Sequence, residues 1–493
     1  MTTSPIAGTK TGARAEGAST PPTPILGALA CLSLCLLLSS LSTSSANIAL
    51  PALATAFTAS FQQVQWVVLA YLLAITTLIV SVGRLGDIVG RRRLLLGGLI
   101  LFTAASALCG VAPSLQLLTA ARAAQGLGAA VMMALAMAFV GETVPKDRIG
   151  SAMGLLGTMS AVGTALGPSL GGVLVGGFGW QAIFLVNLPL GLLAAGLGRR
   201  FLPADRVAPK ADRPRFDGVG TLLLAGTLAA YALAMTAGHG RFDRVTVVLL
   251  LAALLGGGLF LRVEATVASP LIRPAAFRDP VLSGSLAMNA LVSAVMMATL
   301  VVGPFYLSVS LGLGEALVGL VMSVGPMISV LGGVVAGRIV DRFGASAMVI
   351  AGLAAMAAGA LALSVLPPLS GVAGYIAAIA VLTPGYQLFQ TANNTTVMRD
   401  VPPDRRGVVS GMLNLSRNLG LITGASAMGA LFALASGAVD ITAAPPTAIA
   451  AGMRATFAVA AALIVAALAI AALSRAALRR AIAARRPLPG DAG

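Results

Sequence analysis

The pattern G-R-x-x-D-x-x-G occurs twice in this chain, as Gly83–Gly90 and as Gly337–Gly344, 254 residues apart. A second pair follows it at an offset of 257. Val144-Pro145-Lys146-Asp147-Arg148 with Gly150 and Gly154 matches Val401-Pro402-Pro403-Asp404-Arg405 with Gly407 and Gly411, and Gly163, Gly167 and Gly172 fall on Gly420, Gly424 and Gly429. Such a repeat requires two copies of one architecture. In a membrane chain, two similar halves can rock about a site held between them.

That the chain is a membrane chain follows from how its charges are spread. Only 10% of the 493 residues are charged, where a soluble domain carries roughly a quarter, and mean hydropathy is +0.95. Between the charge clusters lie apolar stretches long enough to cross about 30 Å of hydrocarbon. Fourteen are expected, near 25–46, 64–83, 94–112, 116–140, 150–175, 182–199, 217–237, 245–262, 281–309, 316–337, 346–366, 371–397, 407–434 and 453–474. Both repeats recur eight spans later, so two extra spans, the seventh and eighth, separate two six-span halves. The fold expected is an all-α membrane protein of two pseudo-symmetric six-helix bundles plus two inserted helices.

Lys and Arg placement orients it. With residue 1 inside the cell, 27 of 32 basic residues fall on the cytoplasmic side; Arg241, Arg244 and Arg454 fall outside, and Arg122 and Arg417 lie within spans. Both termini are thus expected to be cytoplasmic. The net charge of +16 is this bias added along the chain, and it does not point to nucleic acid. The expected organisation is a disordered tail (1–24), an N-terminal bundle (25–200), a basic linker (201–216), the inserted pair (217–264), a C-terminal bundle with its leading loop (265–474) and a basic tail (475–493) suited to anionic lipid. Cys31, Cys35 and Cys109 sit in apolar spans as packing residues, and the lone His239 lies in a loop. No metal or cofactor spacing is present, so none is expected.

Several segments carry a family likeness. Gly83–Arg93 resembles the cytoplasmic loop motif of the major facilitator superfamily. Leu118-x-x-x-Arg122-x-x-Gln125-Gly126-x-Gly128 resembles its fourth-span motif, and Gly163–Gly172 its antiporter-associated fifth-span motif. Trp66–Tyr71 and Trp180–Gly191 are similar to the fourteen-helix drug/proton antiporter branch. The resemblance covers about residues 25–475. It implies a secondary transporter of the bacterial cytoplasmic membrane, expected to be monomeric, that exports small organic or drug-like molecules in exchange for protons.

Residue roles follow as expectations. Arg84, Asp87, Arg91 and Asp341 would form a conformational latch, with Arg122 and Glu142 serving proton coupling. An arginine inside a span costs about 2.5–3.5 kcal/mol to insert, so Arg122 is expected to face a cavity or a buried partner, with Gln125 one turn on. Gly163, Gly167 and Gly171 share one face for close helix contact; Pro168 favours a kink, and with Gly172 they make a gate or packing seam. The chief departure is in span 1, where the family's aspartate before Asn47-Ile48-Ala49-Leu50-Pro51 is replaced by Ser42. A serine does not titrate as a carboxylate does. None of the sixteen acids lies near mid-span, so the cavity lining is taken as Ser42, Ser45, Asn47, Gln125, Met132, Asn289, Met296, Tyr386, Gln387, Gln390, Asn393 and Asn394. Such a lining suits a neutral or anionic amphiphile. The alternative function is therefore an uncoupled facilitator or anion exchanger; a membrane enzyme or non-transporting sensor is the remote one.

Overall fold

The computed structural model describes residues 22–79, 81–145, 149–205, 217–237, 244–267, 279–398, 406–437 and 444–484. The N-terminal half comprises α1 (Pro22–Ile48), α2 (Leu50–Ala56), α3 (Phe61–Ile79), α4 (Val82–Val89), α5 (Arg91–Gly110), α6 (Leu115–Thr143), α7 (Ile149–Phe178), α8 (Ala182–Leu185) and α9 (Asn187–Phe201). The inserted pair is α10 (Gly218–Ala237) and α11 (Arg244–Thr266). The C-terminal half comprises α12 (Pro280–Phe305), α13 (Glu315–Phe343), α14 (Ala345–Met398), α15 (Arg406–Thr423), α16 (Gly429–Ser436) and α17 (Pro446–Ala484).

Among the described residues, thirteen helices are long and apolar enough to cross a bilayer. One of them, α14, has 54 residues and folds back at Gly371, whose φ of 56° only glycine adopts freely. A Cβ on Gly359 would run into Leu382, and one on Gly352 into Phe389, so the two arms lie antiparallel. The crossings therefore number fourteen. Within each half the helices pack mainly on one another: α1 on α6, α7 and α9, and α12 on α15 and α17.

The repeat seen in the sequence reappears in the packing. Gly163 and Gly167 of α7 lie on α1, against the Leu37 carbonyl and Ser44; Gly420 and Gly424 at the matching place lie on α12, against the carbonyls of Ala290 and Ala294. Gly128 rests on Gly98 and Phe102 of α5, and Gly385, 257 residues later, rests on Gly352 and Met356, each 254 residues later. Lipid supplies little hydrophobic drive for helix association, so small residues that let backbones touch hold such bundles together. Two hydroxyls of α1 bond back to their own helix, Ser39 to the Cys35 carbonyl at 2.8 Å and Thr43 to the Ser39 carbonyl at 2.8 Å, which satisfies them in a medium without water.

The halves meet mainly through α7 and α13. A Cβ added to Gly172 would lie 2.8 Å from Gly319 Cα, and one on Gly319 would strike the Pro168 carbonyl. The expected face is thus divided: Gly163, Gly167 and Gly171 seat α1, whereas Pro168 and Gly172 seat the other half. The motif repeats also end alike, with positive φ at Gly90 (106°) and Gly344 (83°).

Replacing Gly167 with Val drives a branched side chain into Ser44, an overpacking that costs about 1–3 kcal/mol. Its melting temperature in detergent should fall by several degrees. Gly157→Ala, which meets nothing within 4 Å, should leave it unchanged. Equal melts for both would show that the α1–α7 seam is loose.

Candidate functional site

Arg122 is fully buried in the middle of the N-terminal bundle. Its Nε donates to the Val67 carbonyl at 2.9 Å, and Nη1 donates to Gln125 Oε1 at 2.6 Å and Ser42 Oγ at 3.4 Å. Gln125 Nε2 donates in turn to Ser42 Oγ at 3.0 Å and Ser106 Oγ at 2.7 Å. The guanidinium carbon stands 4.1 Å from the Tyr71 ring centroid and 5.8 Å from that of Phe184, where the ring faces attract a cation. Tyr71 donates its hydroxyl to the Ser39 carbonyl. One charged group thus ties together α1, α3, α5 and α6, and its partners are all neutral. Among the described residues Nη2 has no hydrogen-bond partner.

The end opposite the arginine-rich loops is closed across the two halves. Phe61 packs edge-on against Phe305 at 4.8 Å and Phe432 at 5.6 Å between centroids. Beside it, buried Gln65 donates to the Ala425 carbonyl at 2.9 Å. That carbonyl lies in a π-helical turn, Gly424–Met428, of the kind that frees backbone groups at functional positions. Gly429 leaves the space that the Gln65 amide occupies. The inserted helix α10 spans the same seam: Trp66 Nε1 donates to Thr236 at 3.1 Å, Ser81 and Thr221 share a 2.9 Å bond, and Tyr231 and Thr423 one of 3.2 Å.

Toward the arginine-rich end the burial reverses. Along the second arm of α14, Ile379 and Thr383 are buried, Tyr386 and Gln390 half-buried, and Asn394 exposed. Along α15 and the π-helical turn that follows it, Met428 and Ala425 are buried, Leu421 is half-buried, and Arg417 and Asn414 are exposed. Asparagine and arginine on a spanning helix avoid lipid and face water-filled space. Arg417, three turns into α15, forms no ion pair or hydrogen bond among the described residues. Between α3, α6 and α10 lies a separate groove of about 690 Å³, lined by Trp66, Ala70, Leu73, Thr119, Ala123 and Ala229 among others. None of the twelve expected cavity residues borders it.

The structure scatters those residues. Ser42 and Gln125 belong to the Arg122 network, Ser45 lies under Gly171, and Met132 is fully buried in the N-terminal core. Asn47 bonds within α1 to the Thr43 carbonyl and Asn289 to the Leu413 carbonyl, both at 2.9 Å. Met296 packs on the C-terminal core, and Gln387 donates to the Ser329 carbonyl at 3.0 Å. Tyr386, Gln390 and Asn394 share the graded row, and Asn393 turns into a small pocket of its own.

The sequence profile described as "Major Facilitator Superfamily" matches residues 32–425. The chain belongs to this superfamily. Within it, the chain is 32% identical over 399 residues to the riboflavin transporter RibZ of Clostridioides difficile, covering 80% of this chain and 86% of RibZ. It is also 32% identical over 393 residues to the multidrug resistance protein Stp of Mycobacterium tuberculosis, covering 78% and 72% respectively. The fold matches a solved bacterial homologue of the human lysosomal transporter Spinster, in an inward-facing and unoccupied conformation. The TM-score is 0.66 at 17% identity, over 96% of this chain and 100% of that one.

In this superfamily member the loop motif is held by a residue that sequence reasoning passed over. Asp205, after α9, accepts from the Arg92 amide at 2.7 Å and the Arg93 amide at 3.2 Å, and its Oδ2 lies 3.8 Å from Arg93 Nε. It caps the start of α5, where a carboxylate is favoured, while Arg92 also donates to the Arg199 carbonyl. A Cβ on Gly90 would strike this carboxylate, so the motif's last glycine both turns the chain and admits the cap. Asp205 stands in the stretch read as linker; an acid shortly after a span and opposite an arginine run was the available signal. Asp341 is exposed at the end of α13, and Arg91 is half-buried at the start of α5. The side chains of Arg84, Asp87 and Glu142 lie outside the described ones.

Arg122→Leu would leave the buried Gln125 Oε1 without its donor, at about 1–3 kcal/mol, and remove a second bond from the Val67 carbonyl. Melting temperature and transport should fall together, and Arg122→Lys, lacking the planar fork, should fall between. A variant that melts like wild type yet does not transport would show that Arg122 acts on cargo or protons and is not a clamp.

Proposed function

We propose that this transporter exports small organic, drug-like molecules across the bacterial cytoplasmic membrane by alternating access, driven by proton entry. The observation that carries the reading is the asymmetry of the seam: Phe61, Gln65 and Gly172 close one end, and the Asn394 and Arg417 rows open toward the other. With the arginine-rich loops inside the cell, this is an inward-open state ready to load from the cytoplasm. Likeness to a multidrug resistance protein and to a riboflavin transporter supports a small organic cargo. A membrane potential of 100 mV supplies about 2.3 kcal/mol per charge moved, which suffices for some fiftyfold accumulation. Protons would pass through the span-end acids Glu142 or Asp87, or enter with the cargo itself.

A second reading, an uncoupled facilitator or anion exchanger, is favoured by two observations. Ser42 stands where an acid would bind the proton, and it serves as a hydrogen-bond partner for Arg122 and Gln125. Arg417 offers an exposed positive charge in the cleft. The two readings separate in proteoliposomes loaded with riboflavin or fluorescent drugs, with and without an imposed proton gradient. Export by coupled exchange should accelerate severalfold with the gradient and lose that gain when it is collapsed by an ionophore. Rates that ignore the gradient, fall about tenfold in Arg417→Gln for anionic cargo only, and become gradient-sensitive in Ser42→Asp would establish the second reading instead.

A further inference from the structure

Thr58 has a φ of 46°, and among the described residues every other positive φ belongs to a glycine. A β-branched side chain in this left-handed region crowds the following carbonyl. The conformation comes from the way α2 ends. The Thr58 amide donates to the Thr55 carbonyl at 3.3 Å and the Ala59 amide to the Ala54 carbonyl at 3.0 Å. That pair of bonds closes a helix through one left-handed residue, ordinarily glycine. Just beyond it α3 begins with a cap of its own. The Ser60 amide donates to Gln63 Oε1 at 2.8 Å and the Gln63 amide to Ser60 Oγ at 3.3 Å, the reciprocal pattern that fixes a helix start. The Thr58 side chain is exposed, so no packing of the threonine itself offsets the strain.

This turn belongs to the closed end of the seam. Before it, Phe57 packs on Trp180 of its own half at 5.2 Å between ring centroids, and α2 also touches α12 of the other half. After it, Phe61 stands against Phe305 and Phe432, and Gln65 holds the Ala425 carbonyl. Closure therefore grips the chain on both sides of Thr58. A strained residue persists only where its surroundings over-determine it, and here the far half supplies part of that constraint.

We propose that the Thr58 turn is a spring set in the outer gate, held in the left-handed region while the gate is shut and released from it when the gate opens. The inference rests on the alternating-access reading above. When α12 and the Phe432 helix withdraw, α2 and the first turn of α3 lose their packing on the far half. Thr58 then returns to negative φ, and the stored strain weights the protein toward opening. A left-handed conformation lowers the population of an L-residue by roughly 5–30-fold, whereas glycine has no such penalty. Thr58 thereby sets the balance between the two states without touching cargo, against a gate whose aromatic and amide contacts favour closure.

The test is the rate at which a membrane-impermeant maleimide, added outside right-side-out vesicles, labels Tyr386→Cys. That position lies inside the gate on the half-buried row of α14, so the outer rate follows the fraction of time the gate is open. The native cysteines are buried, and the chain without the introduced cysteine gives the background. Adding Thr58→Gly should lower the outer rate at least about fivefold, the strain it removes. Thr58→Asn, which tolerates the left-handed region better than threonine, should fall between. Labelling from the inner side, in inside-out vesicles, should be the same in all three. Both variants should melt no lower than the parent, since they carry the residues such a turn ordinarily takes. An outer rate unchanged in Thr58→Gly overturns the proposal, because the strain is then carried equally in both states. A cysteine labelled from the inner side and never from the outer, in every variant, contradicts alternating access itself and the proposal with it.

Discussion

Gly172 of α7 rests on Gly319 of α13, in the helix pair through which the two halves of this protein mainly meet. No side chain intervenes at either position, so the helix backbones approach as closely as van der Waals contact permits, with the Pro168 carbonyl set against the same glycine. In a bilayer the hydrophobic effect does not press helices together, and packing density at such points supplies the adhesion instead. A smooth contact between glycines also imposes no interdigitation. Two rigid bodies joined this way can roll on each other without first unlocking side chains.

The remaining structure keeps those bodies rigid. Glycines of α7 on α1, repeated by glycines of α15 and its π-turn on α12, make each half a tightly packed unit. In the N-terminal half the Arg122–Gln125–Ser42–Ser106 network adds a polar tie among four helices. At one end Phe61 and Gln65 grip the other half, and the inserted α10 touches both halves through Trp66, Ser81 and Thr423. A helix so placed would be strained by any rocking of the halves unless it moved with one of them.

Much of this was legible in the sequence because it depends on periodicity and repetition. The offsets of 254 and 257 residues map onto matching contacts, including the Gly98–Gly128 and Gly352–Gly385 pairs, which carry no motif of their own in the second half. What was illegible depends on rotation about a helix axis. Ser45, Asn47, Met132 and Asn289 have the composition of cavity residues, yet each is turned into helix packing or a backbone hydrogen bond. Arg122 and Arg417 look alike as arginines within spans; one is buried among neutral partners and the other is exposed. Asp205 caps α5 from more than a hundred residues away, a partnership that no local spacing encodes. The role of α10 likewise rests on contacts with α3 and α15 that its uniformly apolar sequence does not announce.

Rolling of the halves about the Gly172–Gly319 contact is directly measurable. Gly157 with Gly332 and Gly177 with Gly314 flank that contact on the two sides of the seam, and each position has open space around it. The native cysteines Cys31, Cys35 and Cys109 are buried, so spin labels on introduced cysteine pairs report these sites. Electron–electron resonance distances in nanodiscs, at rest and with added riboflavin or a fluorescent drug, should change in opposite directions: the Gly157–Gly332 pair shortening as the Gly177–Gly314 pair lengthens. Distances that rise together, or an outer pair that stays fixed while the inner pair moves, would contradict rolling about this contact.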